Sequence, residues 1–476
     1  MSVNAADVRR SLDSIRANLE DGWLDSVSNQ ELQDNTAIID QLDSQNANAV
    51  IAGLSDEELG KWISEINEGG FLGGGLDATE RDALYDVLAA DLEPDQLIRV
   101  HDSLDTEDQR TELIDSIATE SIVQVRGAVI ERLAPRALDT PTELHPQLLG
   151  IGGTLREVGD DDALAIGRLL GSLNGYPAAL DAAVASLGDE TLEAVLVAGI
   201  QESSLTHVVA NGNTGSATTS VLFDPSVTIG VIEAATAGAS VQTRTRVFDL
   251  ASRRIDDVRA TDTLLQPNVS AGGVAGSLSD ALGGLLASDT NGIVTALESG
   301  SVSESHRYGN GLSSYTTEVI RQGDTKPLTE AIAKLQSGEA LKADPEAFLS
   351  QHTVNAQGAR NYQNASNLGY FVGAVHEGID AIESDAAKQA EIVTAVFGTA
   401  FGVAGPFLPK GSVAAPVAAA IARTLTLETL DARADDLTAG RASLGQALEQ
   451  LAWPDGVNNS DLENTFEAAS QRIRNN

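Results

Sequence analysis

The chain has no cysteine, which removes disulfides and thiolate metal ligation and leaves the redox compartment open. Lysine is nearly as scarce: only six of the 30 basic residues are lysines, against 70 aspartates and glutamates, for a formal net charge of −40. No Lys/Arg-rich face exists to replace phosphate counterions, so no nucleic-acid partner is expected. The histidines His101, His145, His207, His306, His352 and His376 include no pair four residues apart and no His-Glu-x-x-His run, which leaves a zinc site without support. No Gly-x-Ser-x-Gly elbow is present, and no Gly-Lys-Ser/Thr follows the glycines between Gly69 and Gly75. Neither hydrolase nor nucleotide chemistry therefore has an anchor, and no cofactor is expected. The twin arginine Arg9-Arg10 is not followed by the apolar segment of a signal peptide. The expectation is a protein cytoplasmic at synthesis that is released or injected, if at all, without a cleavable signal.

What remains is an acidic, lysine-poor chain with a pI near 4.3. Such a surface suits concentrated salt, where screening shortens the reach of charge repulsion to about 3 Å at 1 M. The reading is a halophile's protein, archaeal in type, that needs high salt. An acidic disordered chain is excluded by a hydrophobic content of 42% arranged with helical periodicity. At 476 residues two or three domains are expected.

Along the chain the signals are those of helices. Ser55 with Glu58, and Asp77 with Glu80, have the spacing of capping boxes, and Pro94 stands where a helix start needs no donor. Gly188-Asp189 and Asp224-Pro225-Ser226 mark further starts. The fold class is therefore all-α, with more than half of the residues helical. One small β-hairpin insertion is expected at 207–223, around Asn211-Gly212-Asn213. The Gly/Ser/Ala composition of 267–284 reads as a linker between an N-terminal helical domain (1–266) and a C-terminal one (285–476). Residues 299–315 read as a surface loop ahead of helices at 316–321, 327–335 and 362–382.

The most apolar stretch, 391–430, runs uncharged from Ile392 to Leu408 and resumes after Pro409-Lys410-Gly411-Ser412. It reads as a helical hairpin buried in the C-terminal domain, carrying Val396, Phe397, Phe401, Val403 and Phe407, with Tyr370, Phe371, Val375 and Ile379 packed on it. The alternative is a hairpin that enters a membrane, for which each arm is short against the roughly 20 residues of a span.

Gln201-Glu202-Ser203-Ser204 resembles the glutamate motif of lytic transglycosylases, in which a buried glutamic acid protonates a glycosidic oxygen. Glu202 is thus the catalytic candidate of an enzymatic alternative, a glycan hydrolase, beside the plainer reading of a helix-terminal glutamate. The clusters Asp160-Asp161-Asp162 and Asp435-Asp436 lack the alternating ligand spacing of an EF-hand loop and read as solvated acid.

The segments LLGSLNGYPAALDAAVASLGDETLEAVL (169–196), SNLGYFVGAVHEGIDAI (366–382) and KQAEIVTAVFGTAFG (388–402) resemble an all-helical region found in large bacterial proteins associated with polymorphic toxins and contractile injection systems. In those proteins the region is typically a carrier. The resemblance supplies no catalytic residue and implies a non-enzymatic scaffold or effector-type protein acting by protein–protein contact. The alternative, from the apolar stretch 391–430, is a membrane-damaging, pore-forming antagonistic toxin.

Overall fold

The computed structural model describes residues 3–19, 27–67, 75–137, 161–200, 224–264, 271–300, 311–335, 351–354 and 360–382, and five positions between 461 and 469. Among these are eighteen helices and one two-stranded antiparallel sheet, so the protein is all-α with a small β pair. The pair joins β1 (Thr353–Val354) to β2 (Arg360–Asn361), with Thr353 opposite Asn361 and Val354 opposite Arg360. The hairpin expected at 207–223 lies outside the described residues; the strands found are elsewhere, in a stretch too short to show alternation.

The described helices form two compact units that divide between Ala239 and Ser240. The first holds α1 (Ala5–Leu19), α2 (Asn29–Asp40), α3 (Ser44–Gly53), α4 (Asp56–Asn67), α5 (Ala78–Asp91), α6 (Pro94–Asp102), α7 (Glu107–Glu120), α8 (Val123–Leu133), α9 (Asp161–Ser172), α10 (Pro177–Ser186), α11 (Asp189–Ala198) and α12 (Ser226–Thr236). Its helices start where the caps place them. The Glu58 amide donates to Ser55 Oγ at 3.1 Å and the Ser55 amide to the Glu58 carboxylate at 2.8 Å. Asp77 and Glu80 repeat this reciprocal pattern, as do Ser28 with Glu31 and Thr106 with Gln109. Each satisfies two donors that a helix start leaves open. Pro94 opens α6, where its missing N–H costs nothing. Behind these starts Leu32, Ile51, Leu59, Trp62, Tyr85 and Leu88 are fully buried.

The scarce cations of this unit gather at helix ends. Arg16 donates to Gly53 O at 3.0 Å, Lys61 to Leu19 O at 2.6 Å, and Arg99 to Ile51 O and Leu54 O at 3.0 and 3.1 Å. Each supplies a donor and a positive charge to carbonyls at the negative end of a helix dipole.

The second unit holds α13 (Val241–Leu264), α14 (Ala271–Ser288), α15 (Thr290–Ser299), α16 (Gly311–Gln322), α17 (Lys326–Leu335) and α18 (Gln363–Ile382). Helix α16 is its centre: every residue from Gly311 to Ile320 is buried, and it packs against α13, α14 and α18.

Two expectations are corrected here. The 267–284 stretch is not a linker, because from Ala271 it is helix α14 within the second unit, and the division falls earlier, at 239/240. Its small residues serve close packing: a methyl group on Gly283 would sit 3.0 Å from the Tyr315 hydroxyl oxygen, and one on Gly272 2.9 Å from an Arg259 guanidinium nitrogen. Nor is 299–315 wholly a surface loop, since α16 begins at Gly311 and buries Ser313, Ser314 and Tyr315. The Ser314 hydroxyl donates to Asp256 at 2.5 Å and that of Ser313 to Glu377, so hydrogen bonds offset the polarity that reads as loop. Tyr370, Phe371, Val375 and Ile379 are buried, on a helix that packs against α15, α16 and α17. The 391–430 hairpin, with Val396, Phe397, Phe401, Val403 and Phe407, lies outside the described residues.

Candidate functional site

Ser121 and Ile122 separate α7 from α8 in extended conformation, with ψ of 148° and 152°. The Ser121 hydroxyl holds this break by donating to Ala89 O at 2.5 Å. Beside it Gly175 ends the α9 segment at φ +85°, a conformation that costs glycine little, and Tyr176-Pro177 starts α10. Arg126 ties the two turns together. Its guanidinium donates to Ser121 O at 2.8 Å, Ser172 O at 3.0 Å and Thr119 O at 3.2 Å, closing the carbonyl ends of both α7 and α9.

Between the turns lies an open groove of about 740 Å³, lined by Ser121 to Arg126 except Val125 on one side and by Gly175 to Ala179 on the other. Ile122 is 65% exposed and Tyr176 50% exposed, two of the five large hydrophobic side chains exposed among the described residues, and both face this one groove. No carboxylate lines it. Ile122 and Tyr176 occupy N-cap positions without a side-chain cap, so the positive ends of α8 and α10 add to the charge of Arg126. An apolar anchor beside positive potential is suited to holding a segment of another chain.

The second concentration of polar groups is buried and internally paired. Glu318, with no exposed side-chain surface, accepts from Arg259 Nε at 2.8 Å, from Arg321 at 3.0 Å and from Gln322 at 3.1 Å. Burial pushes its carboxyl up, but the bonds from Arg259 and Gln322 and the charges of both arginines outweigh this and hold it below the usual range. Glu298 accepts from Ser366 at 2.7 Å and Gln363 at 3.2 Å, and Arg253 pairs with Asp249. A carboxylate held ionised by two guanidiniums suits a structural anion and not a general acid.

Of the candidates read from sequence, Glu202, His145, His207 and His306 lie outside the described residues. His101 is buried in the first unit with Nδ1 3.5 Å from Asp102, and burial lowers its basicity. Asp102 is in turn held by both terminal guanidinium nitrogens of Arg136, so the trio joins α6 to the turn that follows α8. The His352 ring lies 5.2 Å from that of Tyr362, tilted by 50°. Among the described residues no group of three or more His, Asp or Glu side chains is set to hold a metal ion, and no helix is long and apolar enough to cross a membrane.

The groove was not visible in sequence, because its halves are some fifty residues apart and its residue types are ordinary. The signal that existed was local: an isoleucine and a tyrosine where a helix cap belongs. Comparison with family models, characterised proteins and solved structures finds no match to this chain.

Proposed function

We propose that this protein is a non-enzymatic helical scaffold or effector-type protein that acts by protein–protein contact, assembled or delivered with a secretion or contractile injection system of a halophile. The observation that supports it is the groove between α8 and α10, lined by Ile122 and Tyr176, which with Val3 are the exposed large apolar side chains among the described residues of the first unit. The delivery part of the reading rests on the sequence resemblance and the acidic composition.

A photo-reactive residue placed at Ala178, on the exposed rim, tests it in the host cell. The expected result is a cross-linked adduct of discrete mass that is lost when Ile122→Asp is added, together with co-sedimentation of the protein with a large particle. A protein that stays monomeric, forms no adduct and has no stable partner in its host would overturn the reading.

A further inference from the structure

The chemistry of the groove specifies more than contact. Across the first unit arginines reach carboxylates: Arg9 pairs with Asp13, Arg10 with Asp7, Arg16 with Glu58, Arg81 with Glu112, Arg99 with Asp56, Arg132 with Asp95, Arg136 with Asp102 and Arg168 with Asp115. Arg126 does not. Its three hydrogen bonds all go to carbonyl oxygens, so it faces the negative ends of two helix dipoles and has no carboxylate partner among the described residues. In a molecule of net charge −40, this groove therefore combines an arginine with no carboxylate partner, the uncapped starts of α8 and α10, no lining carboxylate and two exposed apolar side chains.

We propose that the groove binds an acidic peptide segment of a partner protein, in which carboxylates alternate with aliphatic residues. The carboxylates face Arg126 and the first turns of α8 and α10, and an aliphatic side chain lies between Ile122 and Tyr176. The backbone N–H groups of Val123, Gln124 and Ala178 have no acceptor among the described residues, and they give the segment further donors. A small inorganic anion would leave the apolar walls uncovered, and a wholly apolar peptide would leave the open N–H groups at the starts of α8 and α10 without an acceptor. This inference rests on the protein-contact reading above and names its partner's chemistry.

The test is fluorescence anisotropy on the full chain, at the lowest salt at which it stays folded, with a short labelled peptide of alternating Asp and Leu. An Asn/Leu peptide removes the charge and an Asp/Ser peptide removes the anchor. The Asp/Leu peptide is expected to bind about tenfold tighter than either control, a difference of roughly 1.4 kcal/mol. Gln124→Glu, at an exposed position in the first turn of α8, is expected to weaken binding about tenfold while leaving the melting temperature unchanged or raised, since an acid there suits the helix dipole. Ile122→Ser should weaken it comparably without unfolding the chain. The proposal is overturned if the Asp/Leu peptide does not bind, if Asn/Leu binds equally well, or if Gln124→Glu and Ile122→Ser bind as wild type does. Should that happen while the Ala178 cross-link persists in cells, contact through the groove stands and only the partner's chemistry is wrong; loss of both ends the contact reading too.

Discussion

Arg259, on α13, donates through Nε to the Glu318 carboxylate at 2.8 Å, and Glu318 sits on a helix buried along ten consecutive residues. The pair, with Arg321 donating to the same oxygen, Oε2, gives the second unit a charged centre where a hydrophobic one is usual.

Removing one partner of a buried ion pair leaves the other's charge uncompensated, which costs about 3–5 kcal/mol. Glu318→Gln is expected to destabilise the second unit by that amount in chemical denaturation. The double variant Glu318→Leu with Arg259→Leu should lose much less, because no charge is left stranded. A Glu318→Gln loss below ~1 kcal/mol would show that the pair is solvated and not a closed buried one.

Close approach of backbones holds α16 in place. A methyl group on Gly311 would lie 2.6 Å from Asp249 Oδ1 and 2.7 Å from its carbonyl oxygen, and one on Gly378 2.9 Å from the Thr317 amide nitrogen. Both neighbours include backbone, which cannot step aside as a side chain can. Gly378→Ala and Gly311→Ala should each destabilise by roughly 1–3 kcal/mol through overpacking. Gly127→Ala, where nothing lies within 4 Å, should be neutral or slightly stabilising by helix propensity. Equal melting temperatures for all three would contradict this packing.

In the first unit, hydrogen bonds from Arg16 and from the Ser55 amide lower the Glu58 carboxyl from 4.5 to about 2. Its folded-state value lies below its unfolded one, so the stabilisation is fully present above pH 4.5 and is lost as the pH falls through about 2. Glu58→Gln lacks this contribution at every pH. The difference in melting temperature between wild type and Glu58→Gln should be constant above pH 5 and shrink toward zero near pH 2; a difference that does not change with acidification would count against the Arg16–Glu58 bond.

Salt should raise stability throughout. Forty excess negative charges repel one another in the compact state, and between about 0.1 M and 1 M salt the screening length falls from roughly 10 Å to 3 Å. The melting temperature is expected to climb over that range, and circular dichroism to show helix lost on dialysis to low salt. A flat profile would remove the halophile reading.

Local chemistry determined much of what is seen. The reciprocal caps at Ser55/Glu58 and Asp77/Glu80, the proline start at Pro94 and the all-α class follow from residues within a few positions of one another, and such information is complete in the sequence. The stretch 267–284 shows where this stops. Its glycines and serines suit a flexible connector or a tightly packed helix equally well, and α13 and Tyr315 on α16, which decide between them, are distant in sequence. The buried polar run Ser313 to Glu318 reads as loop until Asp256, Arg259 and Glu377 arrive from other helices to satisfy it. The groove is the same case in functional form: Ile122 and Tyr176 become one surface only because Arg126 bonds the carbonyl ends of two helices, a relation that no periodicity or spacing records.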